Sequence, residues 1–158
     1  MSPVAAVQVE VTLETVVDVP PEQLWRLLVD WERQGEWMPR TTVTHVDGPR
    51  LGVGTRITAR TGIGPLAIVD PMTVTAVDPP YRYEIVHTGR MVKGVGAFVV
   101  EPSGTGSHFR WWERVEVPGG PLARPLWWVG GPLTRLAFGW ALRRLRRRAE
   151  AEAAPAGG

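Results

Sequence analysis

The sequence predicts an α+β protein in which a curved antiparallel sheet of about seven strands wraps around one long C-terminal helix, with two short helices after the first strand. Three observations carry this expectation. Apolar and polar residues alternate with period two at the start of the chain and again through residues 40–117. Turn signals recur there about every ten to fifteen residues with no helical stretch between them, which implies antiparallel neighbours rather than crossovers. Beyond Pro118-Gly119-Gly120 the alternation gives way to helical spacing. A chain of 158 residues suits one domain with one core, here set at residues 1–150, with 151–158 as a disordered tail.

The first strand is marked by Val7, Val9, Val11 and Leu13 alternating with Gln8, Glu10, Thr12 and Glu14. Pro20 and Pro21 end it and begin a helix over about 21–29, whose apolar stripe is Leu24, Trp25, Leu27 and Leu28. Residues 30–39 are too short and mixed for more than a further helical turn or two. The strands that follow are separated by Asp47-Gly48-Pro49, residues 62–65, Asp78-Pro79-Pro80, Gly89 and residues 102–106. In the closing helix Leu133, Leu136, Ala137, Trp140 and Ala141 share one face. Pro132 fits its first turn, and Gly130-Gly131 marks a break from the apolar piece 122–129.

Charge assigns the strand faces. Arg82 and Glu84 must meet water, which turns Tyr81, Tyr83, Ile85 and His87 inward. Lys93 and Glu101 do the same for Val92, Gly94, Gly96, Phe98 and Val100, and Arg56 and Arg60 for Ile57 and Ala59. In residues 66–77 the inward side is Met72, Val74 and Ala76, while Asp70 reads either as a polar wall group or as part of a bulge or turn before Pro71. In the last strand His108, Arg110, Trp112, Arg114 and Glu116 form the wet face, and Phe109, Trp111, Glu113, Val115 and Val117 the inner one. Glu113 is the informative residue, because a carboxylate on an apolar wall must be paired, neutralised or able to reach water. Two readings stay open: it holds a ligand or moves a proton, with His87 as its partner across the wall, or it reaches solvent or an arginine near the strand end.

Composition removes several classes of function. The absence of cysteine leaves no disulfide, thiolate metal site or cysteine nucleophile. His45, His87 and His108 fall on three strands without metal-ligand spacing, so no metal is expected. Ser2, Ser103 and Ser107 lie outside any nucleophile elbow. Gly52-Val53-Gly54 and Gly94-Val95-Gly96 do not lead from a strand into a helix, so they are not phosphate loops, and no cofactor is expected. The N-terminus lacks a basic start and is interrupted by Gln8 and Glu10, which predicts a cytoplasmic protein without a signal peptide. Residues 1–79 carry net charge −4 and residues 80–158 net +6, with much of the excess in Arg143, Arg144, Arg146, Arg147 and Arg148. That run reads as a solvated helix end or as a weak contact with an anionic membrane surface. It spans too little helix and carries no reading motif for nucleic acid. The apolar segment 126–142 leaves a second copy, in a homodimer, as another candidate partner.

The opening strand followed by VPPEQLWRLLVDWERQGEWMP (19–39), the turn VDPPYRYEI (77–85), the strand pair GAFVVEPSGTGSHFRWWERVEVP (96–118) and the long closing helix together resemble the START/SRPBCC superfamily. Its helix-grip fold is shared by lipid-transfer domains, the birch pollen allergen type and bacterial polyketide cyclases. The resemblance implies a hydrophobic cavity between sheet and C-terminal helix, open near the short helices. It implies binding, or transport, of a lipid-like or polyketide-like molecule, with a cyclase or dehydratase as the alternative. Residues 66–77 contain none of the cavity arginines that such cyclases tend to carry. Tyr83, His87, Phe98, Trp111 and Glu113 are the expected wall, with Trp37 and the pair Trp127-Trp128 at the entrance. His87 and Glu113 are the acid–base candidates for an enzyme.

Overall fold

A computed structural model describes residues 6–119 and 123–155, with side chains left out for 123–130. Strand β1 (Ala6–Val17) leads into helix α1 (Pro21–Leu28) and a 3-10 segment (Trp31–Glu36). Six strands follow: β2 (Thr41–Asp47), β3 (Arg56–Thr61), β4 (Ile68–Asp78), β5 (Arg82–Thr88), β6 (Lys93–Ser103) and β7 (Gly106–Pro118). Helix α2 (Ala123–Ala153) closes the chain. The seven strands form one antiparallel sheet in the order β1-β7-β6-β5-β4-β3-β2, so the short helices carry the chain from one edge to the other.

Local chemistry explains the helix at that crossing. Pro20 sits at the N-cap in an extended conformation and Pro21 occupies the first turn, where a missing N–H costs nothing. Leu24, Leu27 and Leu28 are buried against the sheet. On the sheet side Val17, Val74, Val100 and Phe109 are sealed, together with Trp31 and Trp37 from the 3-10 segment and its cap. Aromatic rings run through this core in edge-on and tilted contacts from Trp25 through Tyr83, Phe98 and Trp111 to Phe138.

Several expectations are corrected. Helix α2 begins at Ala123 and continues through Gly130, Gly131 and Pro132 without a break. It also ends at Ala153, three residues into the expected tail, because the alanine- and glutamate-rich sequence favours helix. Its C-terminal end is tied as well: Arg33 pairs with Glu152, and Glu150 accepts the Asp18 backbone N–H at 3.1 Å. Leu133, Leu136 and Trp140 are exposed, whereas the buried stripe is Ala141, Leu142, Leu145 and Ala149. That stripe threads between the arginines, which obscures it in the sequence. Tyr81 precedes β5 and is exposed rather than inward. In β4 a bulge between Val74 and Ala76 shifts the register, so Ala76 lies opposite Glu84, and Val77, opposite Tyr83, packs on the core in its place.

Candidate functional site

His87 near the end of β5 forms the centre of a side-chain group on the concave face. Its register neighbours are Met72 on β4 and Gly94 on β6. Asp70 lies two residues before Met72 and therefore on the same face, and both its oxygens lie near the His87 ring: Nδ1 is 2.9 Å from Oδ1 and 2.8 Å from Oδ2. On the other side Nε2 donates to Glu113 Oε2 at 2.8 Å. Glu113 in turn accepts the Trp111 indole N–H on Oε1 at 2.8 Å.

The path from Glu113 to His87 crosses β6, and the sequence clears it with a glycine. Gly96 lies opposite Glu113 in the β6–β7 pairing and opposite Ile85 in the β5–β6 pairing. A Cβ on Gly96 would stand 2.3 Å from Glu113 Oε2, so only glycine lets the carboxylate lie flat across the strand. Gly94, directly opposite His87, has φ +140°, and a Cβ there would meet the Arg114 carbonyl oxygen at 2.1 Å. Both glycines of the Gly94-Val95-Gly96 piece thus serve close approach.

Electrostatics follow from this arrangement. Burial alone would push the His87 pKa down, but hydrogen bonds to Asp70 and Glu113 and their charges outweigh it and raise the pKa to about 9. His87 is therefore an imidazolium at neutral pH, with both N–H groups spent on carboxylates. Among the described residues, these two carboxylates are the charged groups that act on it. The Tyr83 phenol, sealed below this group, is pushed well above its ordinary value by burial and by the Glu113 charge.

Of the expected wall, Tyr83, Phe98, Trp111, Glu113 and His87 all point to the concave side, and Trp111 packs on Phe138 of α2 with ring centroids 4.6 Å apart. Trp37 is corrected: it is wholly buried against Phe98 and Trp111, a core ring rather than an entrance. Its indole N–H and the Gln34 Oε1 are buried without a hydrogen-bond partner among the described residues. The side chains of Trp127 and Trp128 lie outside the described residues. Asp70 is the partner that the residue pattern leaves undecided. Its parity with Met72 and Val74 is the available signal, obscured by the proline that follows it.

The basic run is largely occupied. Arg144 donates to the Glu36 carbonyl oxygen at 2.6 Å, Arg146 pairs with Glu150 at 3.0 Å and Arg148 with Glu36 at 3.1 Å. Arg143 and Arg147 line a surface groove of about 360 Å³ with Trp140 and Arg144, whose guanidinium lies 5.0 Å from the Trp140 ring centroid. Among the described residues, no helix is long and apolar enough to cross a membrane.

Comparison with known proteins fits this architecture. Three solved structures share the fold: protein TTHA0849 of Thermus thermophilus, protein MLL2253 of Mesorhizobium loti and protein Ms6760 of Mycobacterium smegmatis. Their TM-scores are 0.79, 0.66 and 0.64, and their sequence identities 19%, 20% and 17%. The matches cover 92%, 93% and 90% of this chain and 100%, 100% and 92% of theirs. At such identity the likeness concerns fold alone. No curated protein sequence matches the chain. The family model described as polyketide cyclase / dehydrase and lipid transport matches residues 8–150, nearly the whole sheet and the closing helix, and the chain belongs to that family.

Proposed function

We propose that the protein binds a hydrophobic small molecule on the concave wall beneath the N-terminal half of α2, with the molecule's polar end against Asp70 and Glu113. The observation that carries this reading is the His87 group itself. Replacing a buried ionic group by packed apolar residues of similar volume is often neutral or stabilising, so the fold does not require three ionisable side chains on this wall. Their place beside Trp111, Phe138 and Met72 joins a few fixed polar atoms to apolar side chains, the usual composition of a small-molecule site.

Binding is favoured over proton transfer by the hydrogen-bond pattern. A general acid or base must present a ring nitrogen to its substrate, and both nitrogens of His87 are already engaged by carboxylates. Glu113 retains lone pairs, so a cyclase or dehydratase using that carboxylate as base is the second reading.

N-phenyl-1-naphthylamine, a neutral apolar dye that carries one N–H, tests the first. It is expected to bind with a saturable one-to-one fluorescence rise, and Phe138→Glu, which puts a charge on a half-buried helix position, should weaken it at least about tenfold. Non-saturable binding, or equal affinity in a Phe138→Glu protein with an unchanged circular dichroism spectrum, would overturn the proposal.

A further inference from the structure

We infer that the ligand taken here bears a hydrogen-bond donor, a hydroxyl or an amine, and that carboxylates and phosphates are turned away. This rests on the binding site just proposed and follows from the donors and acceptors it presents. The three N–H groups of the cluster are spent internally: His87 Nδ1–H on Asp70, His87 Nε2–H on Glu113 and Trp111 Nε1–H on Glu113. What the cluster still offers is carboxylate lone pairs, since each carboxylate has about four acceptor positions, and Asp70 receives one N–H shared between its oxygens while Glu113 receives two.

Exposure points the same way. The His87 side chain is only 5% accessible, whereas Asp70 and Glu113 keep 18% and 19%, so the edges that meet a visitor are acceptors. Among the described residues, the Thr41 hydroxyl on this face donates to the Pro39 carbonyl oxygen at 3.1 Å and lies 3.0 Å from the Thr61 hydroxyl, and two aromatic donors are sealed. Trp37 is 0% exposed and packed between Phe98 and Trp111, and Tyr83 lies beneath Trp25, Trp31 and Phe98. Two carboxylates around one imidazolium also leave the group with net charge −1, which repels an anion. A ligand hydroxyl, by contrast, gains a charge-assisted hydrogen bond.

Three naphthalenes that differ in one substituent read this directly in the wild-type protein, by calorimetric titration at neutral pH. The expected order is 2-naphthol first, 2-methoxynaphthalene about tenfold weaker for want of a donor, and 2-naphthoate weakest. Glu113→Gln, which adds a donor and removes a charge, should narrow the gap between 2-naphthol and 2-naphthoate several-fold. Because the ranking is read without the variant, it stands even if that protein fails to fold. Equal binding of 2-naphthol and 2-methoxynaphthalene, or tighter binding of 2-naphthoate, overturns the donor rule and leaves the binding site intact. Failure of all three to bind overturns the site and the rule together.

Discussion

The two ends of the concave face are built on opposite principles. At the end nearest α1, Leu24, Leu28, Phe109 and Leu145 are fully buried and wholly apolar, and their contribution is surface removed from water. At the other end Asp70, His87 and Glu113 occupy equivalent inward positions, satisfied by one another and by the Trp111 indole N–H. Helix α2 divides in the same way. Its C-terminal half buries Ala141, Leu142, Leu145 and Ala149, while its N-terminal half leaves Leu133 and Leu136 exposed and touches the wall through Phe138. One end holds the protein together, and the other is arranged for something besides stability.

Substitution at the sealed end should have the largest effect. Leu145→Ala removes a fully buried side chain where α2 meets the core and is expected to cost about 2–5 kcal/mol in denaturant unfolding, with little change in the His87 titration. A comparable loss from Leu136→Ser, on the exposed stripe, would break the division of α2; that change should stay within about 0.5 kcal/mol.

The polar end answers to pH instead. The folded pKa of His87 is raised above its ordinary 6.5 to about 9, so protonation favours the folded state. The stabilisation is complete below about pH 6.5 and is lost as pH rises through about 9. Fully expressed, a shift of this size corresponds to about 3 kcal/mol, and solvent contact of the carboxylates makes that an upper bound. Unfolding curves at pH 6 and pH 10 should differ in this sense for the wild type and much less for His87→Gln. Gly96→Ala is the finer probe. Its Cβ displaces the Glu113 carboxylate, a movable side-chain end, so stability should fall by only about 1 kcal/mol. The pKa of His87, followed by NMR, should drop toward its ordinary value with the loss of one hydrogen-bond partner.

Much of this was legible in the sequence because charge fixes strand parity. Arg82 and Glu84 turned Tyr83, Ile85 and His87 inward, and Lys93 and Glu101 did so for Phe98 and Val100, as observed. Parity also placed Glu113 on the wall. It failed where the backbone leaves strict alternation, at the bulge that exchanges Ala76 for Val77 and at Tyr81 before β5 begins. Helical spacing found an apolar stripe on α2 but could not say which stripe the sheet would cover. The meeting of Asp70, His87 and Glu113 on three strands depends on register, and register is set by pairings that the sequence does not display one strand at a time. The role of Gly96 became visible only once Glu113 lay across it.

The proposed ligand site is the polar end of the concave face, not the arginine-lined groove that Trp140 borders on α2. Indole N–H resonances of nitrogen-labelled protein distinguish the two, since the Trp111 N–H is bonded to Glu113 and the Trp140 ring lines the groove. Addition of 2-naphthol should shift the Trp111 signal saturably and leave the Trp140 signal unmoved. A shift of Trp140 alone, or of neither, would contradict the proposed site.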